Sequence, residues 1–379
     1  MGVRLGFLST YTPTQCGIAT FCQALADQLA LSGAEVGVVR LVDEPQPVSP
    51  PVVHEWVTHR REGGADAAAT LNRYDVAVVQ HEYGIFGGPD GVDVLQVVAR
   101  LHVPVMTILH TVLVDPTPGQ HRVLAELIDH SAALVTMTET ARDRLVAGWG
   151  VDPARVSVIP HGAADNLSEP SDLSTRRLTV EGTTVLTWGL LSEGKGIEWA
   201  LLAMAELRRR MPLPRYSIVG QTHPRVLERE GEAYRDRLEA MTRDLMLTRT
   251  VRFDGRYLSG SELRTVVRGA DLILLPYDSL DQVTSGVLTE AVAAGKPVIS
   301  TTFPHAVELL SGGAGLLVPQ RDPGAIADAL ERVLTVDDLA DRMAATSRRL
   351  AASLMWPAVA EQYLELASTV QHHAVPAAV

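Results

Sequence analysis

The stretch ADLILLPYDSLDQVTSGVLTEAVAAGKPVIST, residues 270–301, decides the fold. Its apolar run Asp271–Leu275 predicts a buried strand, and the small residues Thr284-Ser285-Gly286 then begin a short helix whose only charged residue is Glu290. The run 296–301 predicts a second strand. A strand, a helix and a strand in this order indicate a parallel sheet that is covered by helices.

The same alternation occurs twice along the chain. The first series of strand-like runs is VRLGFL, AEVGVVRL, YDVAVVQ, VPVMTIL, AALVTM and RVSVIP, and the second is TTVLTWG, PRYSIVG, TVRFDG, ADLILLP, KPVIST and AGLLVP. A polar stretch at 163–177 separates them and is typical of a linker. We therefore predict an α/β protein with two doubly wound domains, at residues 1–166 and 167–355, followed by a helical segment at 356–379.

Composition excludes several classes of function. The 379 residues include 33 Lys or Arg against 45 Asp or Glu, a net charge of −12, which disfavours nucleic acid and tight binding to anionic membranes. Peripheral membrane contact stays open. The chain contains no long apolar window, no signal-peptide pattern and no metal-ligand cluster, and its two cysteines, Cys16 and Cys22, fit a reducing cytoplasm.

In an open α/β sheet, ligands bind beyond the carboxyl ends of the strands, so the loops after the strands carry the candidate site. In the first half, Gly17 begins a helix that offers free N–H groups to an anion, unless it only forms a tight turn. His81, Glu82, Tyr83 and His110 follow two other strands and should meet at one rim. They could bind a hydroxyl-bearing substrate, or be ordinary polar residues at strand ends.

In the second half, glycines surround Lys195 at the start of a predicted helix, an arrangement that suits a phosphate. The N–H groups of Ser285, Gly286 and Val287 should be free to contact a diphosphate or a hydroxyl. Glu290, one turn further, could accept two hydrogen bonds from a ribose diol, as carboxylates do in dinucleotide folds. The alternatives are a solvated lysine and a helix-surface glutamate.

Together these segments resemble the GT-B glycosyltransferases, specifically the retaining enzymes of family 4, over nearly the whole chain. The resemblance rests on QCGIATF, VIPHG, GLLSEGKG, IVGQTHP, VRFDG, ADLILLPY, QVTSGVLTEAVAAGKPVIST and GAGLLVP, in the order and spacing of the family. It implies two Rossmann-like domains facing a cleft that binds a sugar nucleotide. It also implies that the helix from Trp356 returns to the N-terminal domain and that no metal or other cofactor is needed.

The resemblance also implies roles for single residues. Gly17 would approach the donor and His110 would touch the transferred sugar. Lys195, together with the glycine-rich turn at Gly189, would bind the diphosphate, and Glu290 would bind the ribose.

At two positions the chain departs from the family pattern. Leu190 stands where the family has an arginine, and Gln282 where it has the first glutamate of a Glu-x7-Glu motif. Gln282 can still hydrogen-bond a sugar hydroxyl, so we expect it to act in catalysis with His110 and Lys195. Arg256 or Arg225 could supply the missing cation, and the loop around Arg256 resembles the base-binding segment of the family.

We therefore expect a cytoplasmic, metal-independent, retaining glycosyltransferase, a monomer or a homodimer. It would move a hexose from a donor such as GDP-mannose or UDP-glucose to a small polar or glycoside acceptor. Two alternatives remain. One is an enzyme of the same fold that acts as a sugar-nucleotide epimerase, and the other is a nucleotide-sugar-binding protein that has lost turnover.

Overall fold

A computed structural model describes residues 2–58, 60, 63–167 and 180–373. The chain divides into two compact units, of which unit 1 comprises Met1–Gly162 with Trp356–Val379 and unit 2 comprises Ala163–Met355. Most of the predicted linker, from residue 168 onwards, lies outside the described residues. None of the helices in the described parts of the chain is long and apolar enough to cross a membrane.

Unit 1 contains a parallel sheet of seven strands in the order β3-β2-β1-β4-β5-β6-β7. The strands are β1 (Arg4–Thr10), β2 (Glu35–Val42), β3 (Val52–Val57), β4 (Val76–His81), β5 (Val105–Leu109), β6 (Ala133–Thr136) and β7 (Val156–Val158). Six of them match the predicted runs. The prediction missed β3, an edge strand that follows Pro50-Pro51 and carries exposed or half-buried residues between Val52 and Trp56.

The helices of unit 1 are α1 (Gly17–Leu31), α2 (Gly63–Leu71), α3 (Val94–Val98), α4 (Pro118–His130), α5 (Glu139–Trp149) and α14 (Trp356–His373). Between Val92 and Leu101 only the five residues of α3 are α-helical. On one face of the sheet, α14 buries Val359, Ala360 and Tyr363 in the same core cluster as Leu25 and Leu29 of α1. The C-terminal helix is thus part of the N-terminal unit.

Unit 2 contains six parallel strands in the order β10-β9-β8-β11-β12-β13. All six were predicted, as β8 (Thr184–Trp188), β9 (Arg215–Val219), β10 (Val251–Asp254), β11 (Leu272–Leu275), β12 (Val298–Thr301) and β13 (Gly315–Val318). The strand order reverses between β8 and β11, as it does between β1 and β4 in unit 1. Such a switch point opens a crevice at the carboxyl ends of the strands.

The helices of unit 2 are α6 (Ile197–Leu207), α7 (Pro224–Glu230), α8 (Ala233–Asp244), α9 (Gly260–Gly269), α10 (Gly286–Ala293), α11 (Pro304–Leu310), α12 (Pro323–Thr335) and α13 (Leu339–Leu354). The helices α7 and α8 follow each other closely. Gly231 divides them with a φ of 60°, which interrupts helical geometry at a residue that tolerates it.

Candidate active-site groups

The polar rim predicted for unit 1 forms at the carboxyl ends of β4 and β5. His81 is the last residue of β4, and its carbonyl accepts the backbone N–H of His110, which follows β5, at 3.1 Å. Glu82 accepts from the Thr111 hydroxyl and, at 2.9 Å, from the backbone N–H of Tyr83. The residues predicted at this rim therefore lie side by side, because the two strands are neighbours in the sheet.

His110 contacts the side-chain amide of Gln80, with its Nε2 2.6 Å from Oε1. Burial lowers the pKa of His110 to about 3, with smaller contributions from His161 and His81. The ring is therefore neutral, and a neutral imidazole has one donor and one acceptor nitrogen, so Nδ1 can hydrogen-bond a substrate hydroxyl in either tautomer.

His81 and Tyr83 are buried more deeply than a simple rim would require. The His81 ring is fully buried, neither of its nitrogens hydrogen-bonds to a described residue, and burial lowers its pKa to about 4. The Tyr83 ring meets it edge-on, with centroids 4.8 Å apart. Burial also raises the pKa of Glu82, and hydrogen bonds from Thr111, Tyr83 and Gly84 oppose this shift.

Gly17 begins α1, as predicted. A Cβ atom at Gly17 would meet nothing within 4 Å, so the start of this helix is open to a ligand. Cys16 caps the helix, since its Sγ accepts the N–H of Ala19 at 3.3 Å, and Cys22 is buried in the core. Both cysteines thus have structural roles.

An aromatic cluster beside His110 was not predicted as part of the site. Phe21 contacts three rings edge-on, those of His110, His161 and Trp356, with centroids 4.9, 4.9 and 5.2 Å apart. Trp356 also packs against Gly162, where a Cβ atom would lie 2.1 Å from its ring. The motif VIPHG contains His161 and Gly162, so the sequence did draw attention to these residues. Only the packing of α14 shows that they contact Trp356.

In unit 2, Lys195 lies at the switch point between β8 and β11. Its Nζ is 4.3 Å from the centroid of the Tyr277 ring, which stacks on Phe303 with centroids 5.3 Å apart. This cation–π contact holds the ammonium over an aromatic face without neutralising its charge. Burial lowers the pKa of Lys195 to about 8.

The start of α10 differs from the prediction in one respect. The N–H of Ser285 is not free, because it donates to Nδ1 of His305 at 2.8 Å, while the Ser285 hydroxyl accepts the N–H of Leu288 at 3.2 Å. The N–H groups of Gly286 and Val287 make no hydrogen bond within the described residues, so two of the three predicted donors remain available. His305 lies in α11, which the prediction did not include.

Glu290 lies one turn into α10 and is half-buried. Burial raises the pKa of its carboxyl to about 7, and a hydrogen bond from the Trp188 side chain opposes this shift. Gly189 follows Trp188 with a φ of +125°, and a Cβ atom there would lie 3.5 Å from the Val287 side chain. The glycine-rich turn after β8 therefore lies beside the start of α10.

The remaining predicted residues are placed as follows. Leu190 is half-buried beside this turn, and the Gln282 side chain donates to the carbonyl of Thr284 at 3.1 Å. Arg256 lies after β10, where its guanidinium pairs with Asp254 at 2.7 Å and Glu262 at 3.5 Å. Because these two carboxylates neutralise its charge, Arg256 is a poor candidate for the cation that Leu190 does not provide.

The groups in unit 2 match the parts of a nucleoside diphosphate. A cation and two unpaired N–H groups suit phosphate oxygens, and a carboxylate suits a vicinal diol. Among the described residues, no group of three metal-ligating side chains could hold a metal ion. In unit 1, a neutral histidine and a carboxyl group of raised pKa suit hydroxyl groups.

Two family profiles match the chain, each over one of the two series of strands. "Glycosyltransferase Family 4" matches residues 16–166, and "Glycosyl transferases group 1" matches residues 182–336. Neither profile includes the C-terminal helix.

Curated relatives agree with these matches. A D-inositol 3-phosphate glycosyltransferase of Frankia alni is 28% identical over 96% of each chain. One of Corynebacterium jeikeium is 32% identical over 62% of this chain and 57% of its own length. The chain thus spans little more than half of the length of several curated relatives that it matches.

Solved structures share the fold at low identity. HepE of Anabaena, in complex with UDP and glucose, has a TM-score of 0.76 at 18% identity, covering 97% of this chain and all of the other. Sucrose-phosphate synthase of Thermosynechococcus elongatus has a TM-score of 0.75 at 19% identity, covering 98% of this chain and all of the other. With its two parallel-sheet units and both profile matches, the chain belongs to the group 1 glycosyltransferases of family 4, which have the GT-B fold.

Proposed function

We propose that this protein transfers a hexose from a nucleoside diphosphate sugar to a hydroxyl group of an acceptor, with retention at the anomeric carbon. The observation that carries the proposal is the set of groups at the carboxyl edge of the unit 2 sheet. Lys195 follows β8 at the β8/β11 switch point, Gly286 and Val287 begin α10 after β11, and Glu290 lies one turn into that helix. Family membership supports the same reading.

The chemistry follows from where charge develops. As the bond between the anomeric carbon and the diphosphate oxygen breaks, positive charge grows on the sugar and negative charge on the phosphate. Donors that are already in place stabilise the leaving diphosphate without reorganisation. The acceptor oxygen attacks from the face that the diphosphate leaves, and its proton passes to the leaving phosphate oxygen. No protein nucleophile is required.

For the donor we propose UDP-glucose or GDP-mannose. One structural neighbour, HepE of Anabaena, was crystallised in complex with UDP-glucose, which supports testing a uridine nucleotide first. For the acceptor we propose a small polar molecule or glycoside that binds near Glu82 and His110, since the side chains of His81 and Tyr83 are buried. The curated relatives are named for D-inositol 3-phosphate, so this compound and unphosphorylated inositol belong in the first acceptor screen.

We also propose that the reaction needs no divalent metal. The chain contains no Asp-x-Asp motif, and the cationic and N–H groups around Lys195 can take the place of a metal ion at the diphosphate. Transfer should therefore proceed at an unchanged rate in the presence of a chelator.

The test is transfer activity and donor affinity in two variants. Lys195→Ala and Glu290→Ala should each lower donor affinity or turnover at least tenfold, because each removes a charged hydrogen bond to the donor, about 1.4 kcal/mol or more. Glu365→Ala, an exposed position on α14, is the control and should retain activity.

The outcomes separate the alternatives. Near-normal activity in both variants would overturn the site assignment. Donor interconversion without an acceptor would favour the epimerase. Tight nucleotide binding with no product from any acceptor would favour a binding protein in which Leu190 and Gln282 have removed turnover.

A further inference from the structure

The loops after β8 and β9 run side by side beyond the sheet. Gly189 N–H donates to the carbonyl of Val219 at 3.0 Å, and Leu191 N–H to that of Gln221 at 2.8 Å. The N–H of His223 returns a bond to the Leu191 carbonyl at 2.8 Å, and Leu191 and Thr222 form a parallel bridge. The segment His223-Pro224-Arg225 is therefore held next to the turn that leads to Lys195.

Lys195 alone does not balance the charge of the proposed donor. Each phosphate of an esterified diphosphate is negative, so one ammonium leaves a negative charge uncompensated. Desolvation makes an uncompensated charge costly, and a second cation in reach would lower that cost. The neighbouring position in the turn, Leu190, is apolar.

Most arginines at this edge of the sheet already have a carboxylate partner. Arg256 pairs with Asp254 at 2.7 Å, Arg235 with Glu232 at 3.2 Å and Arg321 with Asp278 at 3.3 Å. Arg225 differs from them, because its exposed guanidinium makes no ion pair or hydrogen bond within the described residues. Its charge is available to a ligand.

His223 lies within the influence of both Arg225 and Lys195. Its Nδ1 accepts the backbone N–H of Arg225 at 3.3 Å. Burial lowers the pKa of His223, and the charges of Arg225 and then Lys195 lower it further, with a smaller effect from Arg229. A positive potential from both loops thus converges on His223.

We infer that Arg225 provides the second positive charge for the diphosphate of the donor, beside Lys195. This inference rests on the proposed function and identifies a binding residue for it. The long, unpaired side chain of Arg225 extends from the segment that is hydrogen-bonded to the Lys195 turn, so it can close on the phosphates when a nucleotide binds. In this interpretation, Arg225 supplies from another loop the positive charge that is absent at Leu190.

The test is calorimetric titration of the full chain with UDP, GDP and ADP at low and at high salt. Arg225→Gln should weaken binding of the preferred diphosphate about tenfold at low salt and make the salt dependence shallower, because one charged contact is lost. Arg225→Lys should restore much of the affinity. Arg229→Gln is the matched control from the same helix, since Arg229 lies 3.4 Å from Glu230, and it should stay within about twofold of the wild type.

Arg225 is exposed, so all three variants should unfold at the temperature of the wild type. Wild-type affinity and salt dependence in Arg225→Gln would overturn the inference while leaving the proposed function intact. Equal losses of affinity in Arg225→Gln and Arg229→Gln would also overturn the inference. They would show that the overall positive charge of this region, and not a specific contact of Arg225, attracts the diphosphate. If the wild type binds none of the three diphosphates, the proposed donor site itself fails and the inference fails with it.

Discussion

At the residue scale, burial favours the uncharged forms of Lys195 and Glu290. It does so by shifting their pKa values in opposite directions. It lowers the pKa of the Lys195 ammonium to about 8 and raises that of the Glu290 carboxyl to about 7. In both cases the cause is desolvation, which disfavours the charged form. The two groups are charged at the same time only between about pH 7 and 8, because Lys195 is charged below its pKa and Glu290 is charged above its own.

We therefore expect the affinity for a sugar nucleotide to be greatest between about pH 7 and 8. Below this range Glu290 gains a proton and can no longer accept two hydrogen bonds from a ribose diol. Above it Lys195 loses its charge and its attraction for the diphosphate. The measurement is calorimetric affinity for UDP-glucose or GDP-mannose from about pH 5.5 to about pH 9.5, since an esterified diphosphate does not itself titrate in this range.

Two variants test which residue causes the loss of affinity at each end of the pH range. Glu290→Gln should bind more weakly and lose the decrease at low pH, because the amide does not titrate. Lys195→Arg should lose the decrease at high pH, because guanidinium stays charged. A profile with the same shape in all three proteins would show that neither group controls binding.

Sequence patterns placed Lys195 in the glycine-rich turn before α6 and Glu290 one turn into α10, and the structure has them there, because glycine-rich turns and helix starts have local signals. The sequence patterns wrongly predicted a free N–H group at Ser285. They also suggested a ligand-binding role for Arg256 that its contacts do not favour. The N–H of Ser285 pairs with His305, twenty residues away, and Asp254 and Glu262 neutralise Arg256. Such pairing depends on side-chain positions that local sequence does not specify.

At the scale of single elements, the start of α10 is stabilised by its own first residue. The buried Ser285 hydroxyl accepts the N–H of Leu288, which has no partner inside the helix. We expect Ser285→Ala to lower the free energy of unfolding by about 1 kcal/mol, as for other N-cap losses. The measurement is the urea midpoint of the ligand-free protein.

Ser353→Ala is the matched control, because Ser353 is exposed near the end of α13 and its hydroxyl bonds only to the carbonyl of Leu350. It should leave the midpoint nearly unchanged. Equal midpoints for Ser285→Ala and the wild type would show that the cap contributes nothing measurable.

Element types were more predictable than element limits. Of the thirteen strands in the described residues, twelve overlap predicted runs, because strands that are buried on both faces are continuously apolar. The edge strand β3 has no such run, and its pairing with β2 alone makes it a strand.

At the scale of the whole molecule, unit 1 is discontinuous in sequence. The side chains of Val359, Ala360 and Tyr363 in α14 are almost fully buried in the core that α1 also lines. Removing them would expose apolar surface, and loss of a large buried side chain alone typically costs about 3–5 kcal/mol. We therefore expect residues 1–162 to be insufficient for a stable unit.

We expect a fragment of residues 1–162 to lack a cooperative thermal transition. The same fragment joined through a short Gly-Ser linker to residues 356–373 should show one, because Gly162 and Trp356 are in contact. Circular dichroism on heating distinguishes the two. A cooperative transition of similar midpoint in the shorter fragment would contradict the structural role of α14.

The sequence by itself determined the class of fold, the two series of strands and the loops that carry the site. These features follow from local periodicity and from turn residues, which act over a few positions. Only the tertiary structure decided which polar groups are neutralised and which stay available, as for Arg256, Arg225 and the N–H of Ser285. It also placed Trp356 against Phe21 and His161. Packing and pairing between segments far apart in the chain are collective, so no local pattern encodes them.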